Sequence, residues 1–321
     1  MKHSWKAPPK LQALSYRVLP SRRRVIYLLD YLSERALNLA ETQEYISRKL
    51  LGNEPFLVGR PGGTESEGLY FFLHNRLATR RPRRKPYSAW FRQFSTIQAG
   101  VTHHNDIDLD VFSQSYLQSV LDSDLLAYGQ FAPGALGVMR TLSDMGRPIT
   151  QFDSLEPWLA MENNIRPWTL ALEGKKVLVI HPFVESIAHQ YSNRKRISGV
   201  KEFLPNFSLN LIAPPVTHAG EKSDKTWKEN LQELIDRVVN EDFDVALIGA
   251  GAYGLPIGQA IKDNGRQALH LGGITQLLFG VTGNRWVSHI QLGKYVDDTW
   301  IRPSDKERPH GHTSVEGGAY W

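Results

Sequence analysis

Apolar residues along this chain fall into two kinds of run. One repeats at steps of three and four and marks amphipathic helices. The other is short and continuous, as in strands buried on both faces of a parallel sheet. Residues 1–20 show neither: Pro8, Pro9 and Pro20 interrupt them and they read as irregular. From Ser21 onward Ile26, Leu29, Leu32, Ala36 and Leu39 share one stripe, predicting a helix that runs close to Leu51 and stops at Gly52 and Asn53. Pro55–Gly59 (PFLVG) predicts a buried strand. The stretch GRPGGTESEG after it predicts a glycine-rich turn, and Leu69, Phe72, Leu73 and Leu77 predict a helix. Thr64 or Ser66 is placed to cap that helix, with Glu65 and Glu67 in its first turn.

The middle of the chain is patterned less sharply. Asp108–Tyr128 reads as a helix with Phe112, Tyr116, Val120 and Leu121 on one side, and Gly134–Met145 as another. Pro157, Trp158, Pro167 and Trp168 mark a crossover. Beyond it strands and helices alternate. Lys176–His181, Leu209–Ala213, Asp244–Ile248 and Gln267–Leu271 read as strands. Helices are expected over Glu185–Arg196, Lys225–Asn240 and from the glycine turn after Ile248 to Asp263. Such alternation predicts an α/β fold: a Rossmann-like, mainly parallel sheet with helices on both faces. The expected organisation is an N-terminal helical extension, 1–50, and an α/β domain, 51–321, with halves of roughly 51–167 and 168–321. The pattern leaves the strand order open.

Composition narrows the chemistry. The 321 residues include no cysteine, which removes disulfides, thiolate metal sites and cysteine nucleophiles. Met1–Lys10 is polar and no apolar run approaches the ~18 residues of a membrane span, so a cytoplasmic protein is expected. The net charge of +5 is concentrated in Arg22, Arg23 and Arg24 and in Arg80, Arg81, Arg83, Arg84 and Lys85. These runs suit phosphate or an anionic membrane surface, and equally a solvated basic face. No nucleic-acid-binding signature accompanies them, so no nucleic-acid partner is expected.

Ligands of open parallel sheets bind beyond the carboxyl ends of the strands. Four segments lie there. Gly249-Ala250-Gly251-Ala252-Tyr253-Gly254 has the form G-x-G-x-x-G between a strand and a helix, where main-chain N–H groups can hold phosphate. An NAD site also wants an acidic residue about 20 positions on; here the next strand ends His270-Leu271-Gly272-Gly273. The plain alternative is a tight turn that needs small residues. In Gly59–Glu67, Arg60 is a candidate for a bidentate anion contact, the Gly62-Gly63 turn and Thr64 for close approach, and Glu65 for metal ligation or base chemistry. Glu67 reads rather as a carboxylate favouring a helix start. His181 ends a strand ahead of Glu185 and Ser186, although a histidine there is often a satisfied core residue and Ser186 is also placed to cap a helix. The fourth segment is His270–Gln276, with Thr217–Gly220 on the same rim. The pairs His103-His104 and His310-Gly311-His312 lack the spacing and third ligand of a metal site. Absence of G-x-S-x-G, Walker A and H-E-x-x-H patterns argues against serine hydrolases, P-loop NTPases and zincins.

The segments GRPGGTE, GKKVLVIHPFVESIAHQY, FDVALIGAGAYGLPIGQAIKDNGRQALHLGGITQLLFGVTGNRW and WIRPSDKERPHGHTSVEGGAYW resemble a group of bacterial proteins from surface-polysaccharide gene clusters that are similar to glycosyltransferases of the GT-D fold. The resemblance runs from about Pro55 to Trp321, is most specific over Gly174–Trp286, and leaves residues 1–50 uncovered. It implies a nucleotide-sugar donor of UDP type and a glycan or lipid-linked glycan acceptor. The family carries an Asp-x-Glu motif in its early glycine-rich turn. Gly63-Thr64-Glu65 matches it with Gly63 in the place of the Asp, so a divalent metal (Mn²⁺ or Mg²⁺) would have Glu65 alone from this motif. Under that implication the donor contacts are Arg60, Gly62, Gly63, Thr64, Ser186, Gly249, Gly251, Tyr253, Gly254, His270 and Gln276, with Tyr253 a candidate stacking ring. The candidate bases are Glu65, Glu185 and His181, in that order. Two rival readings are an NAD(P)-dependent oxidoreductase, from GAGAYG, and a non-catalytic nucleotide-binding partner in polysaccharide assembly.

Overall fold

A computed structural model describes residues 22–75, 86–129, 133–221, 223–287 and 295–321. Helix α1 (Arg22–Ser33) and helix α2 (Leu39–Leu51) lead into β1 (Phe56–Gly59), α3 (Gly63–Asn75), α4 (Ala89–Ala99), α5 (Asp106–Asp122), β2 (Leu125–Tyr128), α6 (Pro133–Asp144) and β3 (Ile149–Gln151). After α7 (Pro157–Glu162) the order is β4 (Lys176–Ile180), α8 (Val184–Asn193), β5 (Ser208–Ile212), α9 (Trp227–Val239), β6 (Val245–Ile248), α10 (Gly254–Asp263) and β7 (Gln267–His270). The seven strands form one sheet in the order β3-β2-β1-β7-β6-β4-β5, every pair parallel. The expected α/β architecture is therefore present.

The strands are short and apolar because both faces are covered. Leu57, Leu178 and Ile180 point into one hydrophobic layer and Phe56, Val58, Val177 and Val179 into the other, the period of two that a strand imposes. The first layer is completed by Leu69 of α3, Leu136 of α6, Leu231 of α9 and Ile257 of α10. The second is completed by Trp158 of α7, by Trp168 in the crossover before β4 and by Ile187 of α8. Chains leaving β1, β2, β5 and β6 thus cross one face, and those leaving β3 and β4 cross the other. Adjacent strands β4 and β6 part to opposite faces, which opens a crevice between their carboxyl ends.

The N-terminal helices embrace the β3 edge of this sheet. Leu28 and Leu32 of α1 enter one layer, while Ile46 and Leu50 of α2 enter the other. Between them Leu37 pairs with Thr150, and its N–H donates to the Ile149 oxygen at 2.8 Å. The continuous helix expected from Ser21 to Leu51 is accordingly two helices. Asn38 starts the second with a reciprocal cap to Glu41, which outweighs the continuity of the apolar stripe. Ile26, expected inside, is 51% exposed. The extension covers a sheet edge whose unpaired main chain would otherwise face solvent.

Two further expectations are corrected. The helix expected over Asp108–Tyr128 ends at Asp122, and Leu125–Tyr128 is the buried strand β2. A four-residue apolar run cannot be told from buried helix by periodicity alone. Neither Thr64 nor Ser66 caps α3, which begins at Gly63; the Ser66 hydroxyl instead donates back to the Gly62 oxygen at 2.6 Å. The basic run Arg80–Lys85 lies outside the described residues, as do the side chains of Arg22, Arg23 and Arg24. No helix of the described residues is long and apolar enough to cross a membrane.

Gln43 of α2 ties the extension to the crossover: its amide donates to the Ser154 oxygen and accepts from the Trp168 N–H, both at 2.8 Å and buried. Gln43→Ala leaves both main-chain groups without a partner and is expected to lower stability by about 2–4 kcal/mol. Urea unfolding reads this as a lower midpoint with an unchanged m-value; a loss below about 1 kcal/mol would show that α2 is not clamped through this residue.

Candidate active site

One cavity of about 800 Å³ lies over the carboxyl ends of the sheet. It spans the β4/β6 crevice and extends past β7 to β1. Its wall contains Arg60, Gly62, Gly63, Thr64, Glu65, His181, Gly249, Gly251, Tyr253, His270 and Gln276, so these predicted residues, from four different loops, meet in one place. Thr217 and His218, expected on the rim, also line it.

The glycines of these turns are there for contact between strand ends. A Cβ on Gly249 would stand 2.6 Å from the His181 ring and 2.8 Å from the Gly272 oxygen. A Cβ on Gly254 would fall 2.2 Å from the His270 ring, and one on Gly62 would fall 2.2 Å from a carboxylate oxygen of Glu65. Only glycine lets these side chains lie across the turns. Gly254 itself supports His270 from behind and is not in the cavity wall.

Burial holds the histidines of the cavity wall toward the neutral form. His181 accepts the Phe183 N–H at Nδ1 (3.0 Å), so its proton sits on Nε2. Burial, with His218 adding to it, lowers its pKa to about 3, and burial with the Arg60 charge does the same for His270. Burial also lowers the pKa of His218. His181 with Nδ1 already accepting is a hydrogen-bond donor toward the cavity, not the base proposed from sequence.

Arg60 is the anchored cation of the site. Its guanidinium donates to the Leu271 oxygen at 3.0 Å, lies 4.5 Å over the Phe152 ring, and keeps a buried Nε with no partner. Burial lowers its pKa, while Glu156 counteracts that. Glu156 accepts from the Trp158 indole at 2.9 Å, and burial followed by the neighbouring Asp153 pushes its pKa up to about 8. The carboxyl is therefore largely protonated at neutral pH and offsets little of the Arg60 charge. Burial also raises Glu65 and Glu67 above the usual carboxylate range.

Four predicted residues have other tasks or surroundings. Glu185 is exposed and outside the cavity wall; its N–H, with that of Ser186, donates to the carboxylate of Glu307. The Ser186 hydroxyl is bonded to the same carboxylate, so Glu307 caps α8 and Ser186 is not a donor contact. Tyr253 lines the cavity but is 2% exposed. Its ring lies parallel to Trp227 at 6.1 Å, its hydroxyl bonds Thr217 at 3.0 Å, and burial pushes its pKa up to about 12. A base or sugar cannot stack on a face already covered by Trp227. Gln276 is pinned by the Val281 and Tyr320 oxygens at 3.2 and 3.3 Å, and its Oε1 meets no donor.

Other lining residues went unnoticed in the sequence. Asp153 and Glu156 follow the three-residue strand β3, too short to mark a strand end. Arg285, Trp286, Glu316, Tyr320 and Trp321 come from a terminal segment without regular periodicity that folds back across the strand ends. Trp321 there packs against Phe183 and His218, and an Arg285–Glu316 ion pair holds the segment. Trp90 and Phe94 of α4 complete the mouth. Among the described residues no three His, Asp or Glu converge to hold a metal ion. The Glu65 carboxylate folds over Gly62 with Gly63 beside it, so among the described residues this turn offers a metal ion Glu65 alone.

No protein-family profile matches the chain, and no curated protein matches it. Two solved structures are similar in chain path. One is a selenomethionine-substituted domain of unknown function 1792, 14% identical, covering 88% of this chain and 96% of that one at a TM-score of 0.47. The other, of the same domain and described as having a distinct glycosyltransferase fold, is 13% identical and covers 87% of this chain and 96% of that one at a TM-score of 0.44.

The protonated Glu156 gives a pH signature. A carboxyl with a folded pKa raised to about 8 holds a proton that the unfolded chain has released above its ordinary value of 4.5, so stability is lost as pH rises between the two. Glu156→Gln removes this loss. The variant's urea midpoint is expected to gain on the wild type steadily from pH 5 to pH 8.5; parallel profiles would mean that Glu156 ionises normally.

Proposed function

We propose that the chain is a glycosyltransferase that moves a sugar from a nucleotide-sugar, of UDP type, to a glycan or lipid-linked glycan acceptor. The observation that carries this reading is the convergence, in one cavity at the strand ends, of two glycine turns, the unpaired Arg60 Nε and the carboxyl of Glu65. The volume of about 800 Å³ is of the size that takes a nucleotide-sugar.

Glycosyl transfer breaks the bond between the anomeric carbon and the leaving phosphate oxygen through an oxocarbenium-like state. The electron pair leaves with the nucleoside diphosphate, and the growing charge has to be met by fixed donors. Arg60, Arg285 and the main-chain N–H groups of the turns after β1 and β6 are those donors, and His181 adds its Nε2–H. In an inverting reaction the acceptor hydroxyl gives its proton to a base as its oxygen bonds the anomeric carbon. Glu65 takes that role: it stands in the first turn of α3, lines the cavity, and its raised pKa makes it a stronger base than an exposed carboxylate. Location in the cytoplasm, with the basic run at 80–85 held to an anionic membrane surface, extends the same reading from the sequence.

The oxidoreductase reading loses ground here. β7, the strand after the GAGAYG turn, ends in the buried His270 where a ribose-binding carboxylate would be needed.

The test is a thermal-shift screen with UDP, GDP, CMP, dTDP, ADP and NAD, each with and without Mn²⁺. UDP near 100 times its dissociation constant is expected to add about 2.7 kcal/mol, a shift of several degrees, without Mn²⁺. Arg60→Ala should abolish it. Glu65→Gln should keep it and, with a UDP-sugar, slow UDP release at least about 100-fold. A shift with NAD alone would establish the oxidoreductase instead, and nucleotide binding without turnover in any variant would establish the non-catalytic partner.

A further inference from the structure

Helix α4 has two faces with opposite logic. Phe91, Ser95 and Ala99 are buried and hold it to the core. Trp90, Phe94 and Gln98, at steps of four, form a second row that lines the cavity. Trp90 is 57% exposed, a rare state for the largest side chain. It is nevertheless ordered by its neighbour: the Trp90 and Phe94 rings stack at 4.6 Å and 16°. Phe94 backs one face of the indole, and Trp90 as a whole stays more than half exposed.

The inner end of the row is polar. The Gln98 amide nitrogen donates to the Ser314 oxygen at 2.8 Å, which fixes the side chain and leaves its buried Oε1 without a donor. Glu67 stands on the same cavity wall. Both present oxygen acceptors, and a ligand here must bring O–H or N–H donors. The row also has a direction. Its inner end meets the glycine turn after β6, where a Cβ on Gly251 would stand 3.3 Å from the Ala99 oxygen. Trp90 lies nine residues away, about 13 Å up the helix axis at the mouth.

The geometry points to the Trp90–Phe94–Gln98 face of α4 as the acceptor track, binding a glycan of at least two sugars with its outer pyranose stacked on Trp90 and its inner hydroxyls facing Gln98 and Glu67. This rests on the transferase reading above. A pyranose joins an apolar C–H face to a rim of hydroxyl donors, and the row offers that pairing: a flat aromatic surface outside and unmatched acceptors inside. A polyprenyl chain would cover the rings but leave the Gln98 and Glu67 oxygens without donors.

Saturation-transfer NMR on the full chain, with methyl β-cellobioside, methyl β-lactoside, methyl α-maltoside and methyl β-chitobioside, tests this directly. At least one is expected to show transfer concentrated on C–H protons of one ring face. Trp90→Ala should weaken that disaccharide about tenfold, and Trp90→Phe should restore most of the affinity. Trp90 is exposed, so neither change threatens the fold. UDP thermal shifts are read on the same samples. No glycoside binding, or binding unchanged in Trp90→Ala, overturns the track, as does a Trp90→Ala loss confined to farnesyl phosphate (a lipid surface) or to UDP (a base platform). If UDP stabilises wild type and variant equally while glycosides ignore Trp90, the track alone fails. If no nucleotide stabilises the wild type, the transferase reading fails whatever the glycosides do.

Discussion

The parting of β4 and β6 governs the rest of the molecule. These neighbouring parallel strands end side by side, but the chain after β4 turns to one face of the sheet and the chain after β6 to the other. Helices cannot fill the space between two chains that diverge, so a crevice opens there, bordered by main-chain groups that no secondary structure satisfies. Gly249 and His181 meet across it at a separation that no side chain on residue 249 would allow. The other features of the site are arranged around that gap: the β7 turn below it, the β1 turn beside it and the terminal segment folded over it.

Electrostatics in the cavity follow from how little water reaches its inner wall. Burial disfavours charge on every group, and the groups respond according to type. The histidines are held toward the neutral form, and His181, whose Nδ1 accepts from Phe183, keeps its proton on Nε2. Glu156 keeps its proton and ceases to oppose Arg60. Arg60 stays at the inner wall as the buried cation, anchored on Leu271 and Phe152. A site with an uncancelled cation, neutral donors and oxygen acceptors toward the mouth favours an anionic ligand inside and a hydroxyl-rich one outside.

The terminal segment supplies much of the wall and reassigns part of the sequence pattern. Glu307 reaches the start of α8 and accepts from Glu185, Ser186 and Ser304 main-chain groups, so a carboxylate distant in sequence satisfies the helix N-terminus. This removes Ser186 from the ligand and leaves Glu185 outside. Trp321 packs against Phe183 and His218, joining the β4 and β5 loops.

Much of the fold was legible because it is written locally. Buried parallel strands are continuous apolar runs, and KVLVI and VALI could be read directly; strand-end glycines followed at once, and with them Arg60, His181, Gly249 and His270. The same locality explains the failures. LLAY and ITQ are too short to separate from their surroundings, and the break at Leu37 is made by pairing with β3, which no window around residue 37 contains. Period and glycine placement are local properties of the chain, and they were enough for the parallel α/β class and for the residues at the ends of strands β1, β4, β6 and β7. The strand order, the face taken by each crossover, the burial of Arg60 near Glu156, the removal of Glu185 and Ser186 from the site, and the exposure of Trp90 at its mouth came only with the folded chain. Those depend on contacts between residues far apart in sequence, where burial and charge are set by what packs alongside and not by neighbours along the chain.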